Sequence, residues 1–201
     1  MSWIGAGGLF KEAPGKLIRY ADDFVVMCRT EEKAKAAKEE VEAILKRLKL
    51  RLHPGKTRIV NPSRKGETFT FLGCTHKKAR SRVYRQTFYL YRWPSLRSVQ
   101  RIRERVREET DPRRRSGTNP RVVLAVLRPI LLGWAAYFRT GNASPTFAKV
   151  ERYTLDRINT LLRRRSQRAF RTLTFPEARA LGLPRLQGTI RYPGGANART
   201  G

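Results

Sequence analysis

Apolar residues recur along this chain in two rhythms, and the change between them falls near residue 94. The first rhythm is short and strand-like: Leu17-Ile18 and Phe24-Val25-Val26-Met27 stand on either side of Tyr20-Ala21-Asp22-Asp23. Two apolar runs around a small polar tetrapeptide predict a β-hairpin. Next, Ala34, Ala37, Val41, Ile44, Leu45 and Leu48 repeat at three- and four-residue steps, which predicts an amphipathic helix to about Lys49 with Thr30 as N-cap and Glu31 and Glu32 in its first turn. The opposite face carries Lys35, Lys38, Glu39, Glu42, Lys46 and Lys49, and is either a solvated surface or one turned towards RNA. His53-Pro54-Gly55 ends the pattern. Residues 57–60, 68–73 and 83–93 then read as strands, the last interleaving aromatic and basic side chains that either join a core or stack on bases.

From Pro94 the period is helical. Ser95 caps a helix with Leu96, Val99, Ile102 and Val106 on one side and Arg97, Arg101, Arg103, Arg105 and Arg107 on the others. Residues 111–118, holding Pro112 and Arg113-Arg114-Arg115, read as a loop. Asn119-Pro120 opens a strongly apolar helix through Leu127, Leu131, Trp134 and Phe138, in which Pro129 predicts a kink and Gly133 the close approach of a neighbour. Ser144-Pro145 opens a third, with Phe147, Val150, Thr154, Ile158 and Leu161 along one side. The expected fold class is α+β: an unstructured leader at 1–15, an antiparallel sheet with a packed helix at 16–93, an all-α three-helix bundle at 94–165, and a basic irregular extension at 166–201 with one helical turn at 176–181.

Charge narrows the function. The 201 residues hold 44 Lys plus Arg against 16 Asp plus Glu, a net charge of +28, which makes nucleic acid the default partner. Residues 16–93 carry 20 basic and 8 acidic side chains and residues 94–165 carry 17 and 6, so the charge belongs to the folded segments and not to a tail. No run of about 18 apolar residues and no secretory signal is present, so a cytoplasmic location with no membrane partner is expected. Cys28, Cys74, His53 and His76 fall in no Cys-x-x-Cys or His-x-x-x-His spacing; zinc is not expected, and the cysteines read as reduced core residues.

Asp22 and Asp23 are the candidate chemistry. Adjacent carboxylates repel, and fixing two of them on strands suits a divalent cation that bridges phosphates; the same pair is also ordinary turn composition. A ribosomal-type basic protein would account for the charge but gives no reason for paired acids in an apolar hairpin. Arg97, Arg101, Arg105, Arg113, Arg114 and Arg115 are the candidate phosphate contacts.

Four motifs in order carry a family resemblance. Arg19-Tyr20-Ala21-Asp22-Asp23-Phe24-Val25-Val26, Lys56-Thr57, Phe71-Leu72-Gly73 and Leu127-Arg128-Pro129-Ile130-Leu131-Leu132-Gly133-Trp134 with Tyr137-Phe138 resemble the C-terminal half of a group II intron-encoded reverse transcriptase and maturase. The resemblance implies that 16–93 is a partial reverse-transcriptase palm with its YADD hairpin and primer grip, and that 94–165 is the thumb or maturase domain that binds intron RNA. It implies two Mg2+ ions, with Mn2+ as a substitute, held by Asp22 as the stronger and Asp23 as the supporting ligand. By the same resemblance Tyr20 and Gly73 lie beside the primer, Ala21 keeps the turn small, and Lys56 neutralises or protonates departing pyrophosphate, unless it is simply an exposed loop lysine. Cys74 stands where the family often has a larger apolar residue.

Such a polymerase also needs an Asp from an earlier palm strand and the fingers that clamp the template. The chain has only Asp22, Asp23, Asp111 and Asp156. The expectation is therefore that the isolated chain does not polymerise. Either it works with a separate N-terminal reverse-transcriptase polypeptide on template-primer duplex, or it is a non-catalytic, RNA-binding maturase remnant or splicing cofactor. No Cys/His-rich segment follows the thumb, so a DNA-cleaving domain is not expected.

Overall fold

The structure, a computed structural model, describes residues 15–64, 66–80, 87–115, 118–165 and 172–191. Strands β1 (Gly15–Tyr20) and β2 (Asp23–Cys28) form an antiparallel hairpin in the register Gly15↔Cys28, Leu17↔Val26 and Tyr20↔Asp23. Gly15 is thus the first strand residue, and the rest of the expected leader lies outside the described residues. Helix α1 (Glu31–Arg47) packs on the hairpin, and the Thr30 hydroxyl accepts from the Lys33 N–H at 3.3 Å to cap it.

The second sheet differs from expectation in its centre. Strands β3 (Phe69–Phe71), β4 (Cys74–Arg80) and β5 (Phe88–Pro94) run antiparallel in the order β3-β4-β5. The central strand is Cys-Thr-His-Lys-Lys-Ala-Arg, which has no apolar alternation to announce it; pairing on both sides, not side-chain pattern, keeps it extended. Residues 57–60, expected as a strand, form none, because no neighbouring strand takes up their backbone groups. Of the strand expected at 83–93, β5 covers the end, and 83–86 lie outside the described residues.

Helices α2 (Leu96–Glu109), α4 (Pro120–Phe138) and α5 (Ser144–Arg165) share one core, with Val106, Leu124, Leu127, Leu131, Phe147 and Ile158 fully buried. Ser95 and Asn119 cap α2 and α4 as their sequence positions require. Short helix α3 (Pro112–Arg115) occupies the expected loop. The helical part extends past three helices: α6 (Phe175–Ala180) and a 3-10 turn (Gln187–Thr189) follow, and Ala178, Leu183 and Leu186 are buried in the same core. The helical turn expected at 176–181 is α6, and the rest of 172–191, expected as irregular, is held against the same core.

Two side chains fasten that segment. Asn159 pairs with both backbone groups of Leu173, its Nδ2 donating to the carbonyl at 3.1 Å and its Oδ1 accepting from the N–H at 2.8 Å. The buried Glu151 carboxylate accepts from the N–H groups of Leu186 at 2.6 Å and Gln187 at 3.2 Å, and from Arg179 at 3.4 Å. Helix α4 continues unbroken through Pro129, and a Cβ at Gly133 would meet nothing within 4 Å, so that glycine does not mark a close helix contact. By length and composition α4 is apolar enough to cross a membrane; Leu124, Leu127 and Leu131 on its inner side are core residues here.

Burial is uneven between the two parts. Among the described residues from 15 to 80, only Ala37 is buried, whereas Ile18, Tyr20, Met27, Leu48 and Leu50 are 40–66% exposed.

Candidate functional site

Two residues, Ala21 and Asp22, turn the first hairpin, and Asp23 opens β2 directly opposite Tyr20. Ala21 takes φ 52°, a left-handed conformation that costs an L-residue roughly 1 kcal/mol. The Arg19 Nε–H holds the turn by donating to the Ala21 carbonyl at 2.7 Å. Such local strain is found where a turn has to present something; here it presents two exposed carboxylates. Tyr20 and Asp23 pair across the ladder and share a sheet face, and Tyr20 is 66% exposed.

Among the described residues no three His, Cys, Asp or Glu side chains come together as a ready metal cage. Mg2+ keeps several waters and commonly takes one or two carboxylates plus substrate phosphates. The Asp22-Asp23 pair therefore fits the protein share of one such ion and falls short of two. Lys56 is exposed in the turn after α1, where its N–H donates to the His53 carbonyl at 3.0 Å; among the described residues no hydrogen bond or ion pair links it to either aspartate.

A second turn is built more firmly. Leu72 (φ 49°) and Gly73 (φ 72°) join β3 to β4 with Phe71 opposite Cys74, a two-residue loop with both central residues left-handed, as in type I′ hairpins. The Gly73 carbonyl accepts from the Ser95 N–H at 2.8 Å and the Ser98 hydroxyl at 2.9 Å, and the Leu72 carbonyl accepts from the Tyr137 hydroxyl at 3.0 Å. A Cβ on Gly73 would lie 3.0 Å from the Ser98 Oγ and 3.6 Å from Phe138, so both φ and space require glycine. Nearby, Arg92 on β5 donates to the Thr140 carbonyl and hydroxyl, and its own carbonyl accepts from the Asn142 N–H at 2.8 Å. The sheet that carries Gly73 is thus fastened to the start of α2 and to the end of α4 with the loop that follows it. Burial pushes the Cys74 thiol pKa up against the opposing Arg92 charge, which leaves a neutral side chain packed on the helical core. Ser98 and Arg92 escape a sequence reading because neither belongs to a chemical motif; only the three-dimensional seam gives them a role.

The expected phosphate contacts divide into two groups. Arg97 and Arg101 on α2 and Arg113 and Arg114 on α3 are exposed. Arg105 instead reaches Glu108 at 3.2 Å and Glu109 at 3.3 Å, and Arg115 reaches Glu109 at 2.7 Å, so these two guanidiniums are already paired. Sequence periodicity placed Arg97, Arg101 and Arg105 off the apolar face of α2 but could not show which carboxylates bend towards them.

Residues 7–76 match the family described as reverse transcriptase (RNA-dependent DNA polymerase), and residues 99–174 match the group II intron, maturase-specific domain. No curated protein matches the chain. The first match contains the Asp22-Asp23 hairpin and the Leu72-Gly73 turn, and the second contains most of α2 and all of α3, α4 and α5. The two matches, in this order along the chain, support reading it as a group II intron reverse transcriptase/maturase.

Proposed function

We propose that the helical part of this chain binds intron RNA and that Asp22 and Asp23 form part of a Mg2+ site for RNA-directed DNA synthesis, completed by a carboxylate from another segment. The observation that carries this reading is the strained hairpin tip with two exposed acids, standing in one chain with a maturase-specific segment. When bound, Mg2+, or Mn2+ in its place, would stabilise charge on the attacking and leaving oxygens. Asp22 and Asp23 would hold the cation, Tyr20 would pack beside the primer strand, and the Leu72-Gly73 turn would hold the primer backbone against the helical part.

A second reading, RNA binding without chemistry, is favoured by the absence of a third acid near the pair among the described residues. Primer extension on an RNA template with Mg2+ separates the two. The chain alone is expected to be inactive. Adding a polypeptide with fingers and an Asp-bearing palm strand should give extension that disappears in Asp22→Asn. Synthesis that persists in that variant overturns the site assignment, and no synthesis under any complementation favours the binding reading. RNA affinity should be unchanged in the Asp22→Asn, Asp23→Asn double variant.

A further inference from the structure

Between α2, α5 and α6 lies an open groove of about 930 Å3, with Trp93 and Pro94 at the end of β5 in its lining. Three half-buried aromatic side chains, Trp93, Tyr153 and Phe175, contribute to its lining, and Leu96 stands on its edge at 74% exposure. The Arg103 guanidinium lies 4.3 Å above the Tyr153 ring, and those of Arg152 and Arg179 lie 5.1 and 5.7 Å from the Phe175 ring. Lys149 adds a fourth cation. The lining includes two acids. One, Glu151, has its carboxylate buried and occupied by the Leu186 and Gln187 N–H groups and by Arg179; the other, Asp156, is exposed.

We infer that this groove binds unpaired RNA, its aromatic and apolar surfaces stacking on exposed bases while Arg103, Lys149 and Arg152 take the flanking phosphates. The inference rests on the RNA-binding reading above and specifies which form of RNA the groove recognises. Neither half of the chemistry suffices by itself. With Arg179 and Glu151 paired to each other, three further cations against one exposed carboxylate select a polyanion, but a duplex would meet only the cations, because its bases are stacked inside and its accessible surface is phosphate and ribose. Aromatic faces with guanidiniums laid on them suit a base that has left a helix, since every base has a π-face and stacking is tolerant of sequence. The groove therefore suits a bulge, loop or single-stranded junction. The exposed Arg97, Arg101, Arg113 and Arg114 instead offer charge without an aromatic floor and are suited to helical RNA.

The test uses the full chain with an eight-residue oligouridylate, an abasic phosphodiester of the same length, a blunt RNA duplex and a polyglutamate peptide as probes. Oligouridylate should bind roughly tenfold more tightly than the abasic strand. When substituted with 4-thiouridine it should cross-link to Trp93, Tyr153 or Phe175. Exchanging the exposed Lys149→Gln and Arg152→Gln together should weaken oligouridylate by about tenfold while duplex affinity and Tm hold. Equal affinity for the abasic strand, cross-links confined to other surfaces, or polyglutamate competing as well as oligouridylate each overturns the inference; the last outcome would assign the groove to an acidic protein segment. Binding of structured intron RNA together with no binding of oligouridylate removes the groove proposal alone. Failure of both removes the RNA-binding reading with it.

Discussion

The Tyr137 hydroxyl donates to the Leu72 carbonyl at 3.0 Å, tying α4 of the maturase-specific segment to the left-handed turn of the reverse-transcriptase segment. Leucine is a poor residue for φ 49°, and the turn keeps its shape because Tyr137 holds one carbonyl while Ser95 and Ser98 hold the next. A turn whose geometry is set by the helical part would move with it.

Two substitutions at that contact should shift stability in opposite directions. Tyr137→Phe loses one exposed hydrogen bond and should cost about 0.5–1.5 kcal/mol. Leu72→Asn creates Asn-Gly, the favoured pair for a type I′ turn, and should add about 1 kcal/mol by relieving the left-handed leucine. Urea unfolding midpoints measure both, and a lower midpoint for Leu72→Asn would mean that the leucine side chain contributes more than its backbone strain costs.

Glu151 joins the last described segment to α5. Glu151→Ala strips acceptors from the Leu186 and Gln187 N–H groups in a buried place and should destabilise by roughly 3 kcal/mol, with Glu151→Gln retaining part of that. Limited proteolysis should then cut within 172–191 before α2 or α4. Simultaneous cleavage everywhere would show that the segment is integral to the core.

His76 gives the sheet a pH dependence. Burial holds its pKa below the ordinary histidine value, with Arg92 acting in the same direction and a backbone hydrogen bond to Phe71 opposing; its ring stacks on Phe69 with centroids 4.8 Å apart. A depressed histidine pKa means the unfolded chain binds the proton more readily. The contribution is therefore complete above the unfolded pKa of about 6.5 and is lost as pH falls below it. The Tm should drop between pH 7.5 and 5 more steeply in the wild type than in His76→Phe, which keeps the stack and cannot charge. Parallel curves would place the acid sensitivity elsewhere.

The two classes of arginine should also separate by salt. Arg97→Gln with Arg101→Gln should weaken structured-RNA binding and flatten the dependence of log K on log salt by about two, one per phosphate contact. Arg105→Gln should change it less, because Glu108 and Glu109 already hold that guanidinium. Equal effects would mean that RNA displaces the carboxylates.

Much of this arrangement was legible from residues alone. The hairpin at Tyr20 to Asp23, the Thr30, Ser95 and Asn119 caps, and the apolar stripes of the long helices follow from local periodicity and capping chemistry, which are written in neighbouring residues. Strand β4 was not legible, because Thr75, Lys77 and Lys78 owe their extended form to partners on both sides. Nor, beyond the helical turn at 176–181, was the anchoring of residues 172–191, which depends on Glu151 and Asn159 reaching backbone groups 14 to 36 positions away. At the candidate site the acids were visible as a motif. What the sequence withheld was which arginines are prepaired, and that Tyr153 and Phe175 meet cations across the α2, α5 and α6 groove.

With Ala37 as its single buried side chain among the described residues, the stretch from 15 to 80 has little hydrophobic reserve of its own. Opening there should need far less free energy than global unfolding, so amide protons of β1, β2 and α1 should exchange with solvent well ahead of those in α4 and α5. A hairpin tip mounted on so shallow a foundation gains its rigidity from whatever covers Ile18 and Met27, and occupancy of that face would then govern how long the two aspartates stay in register.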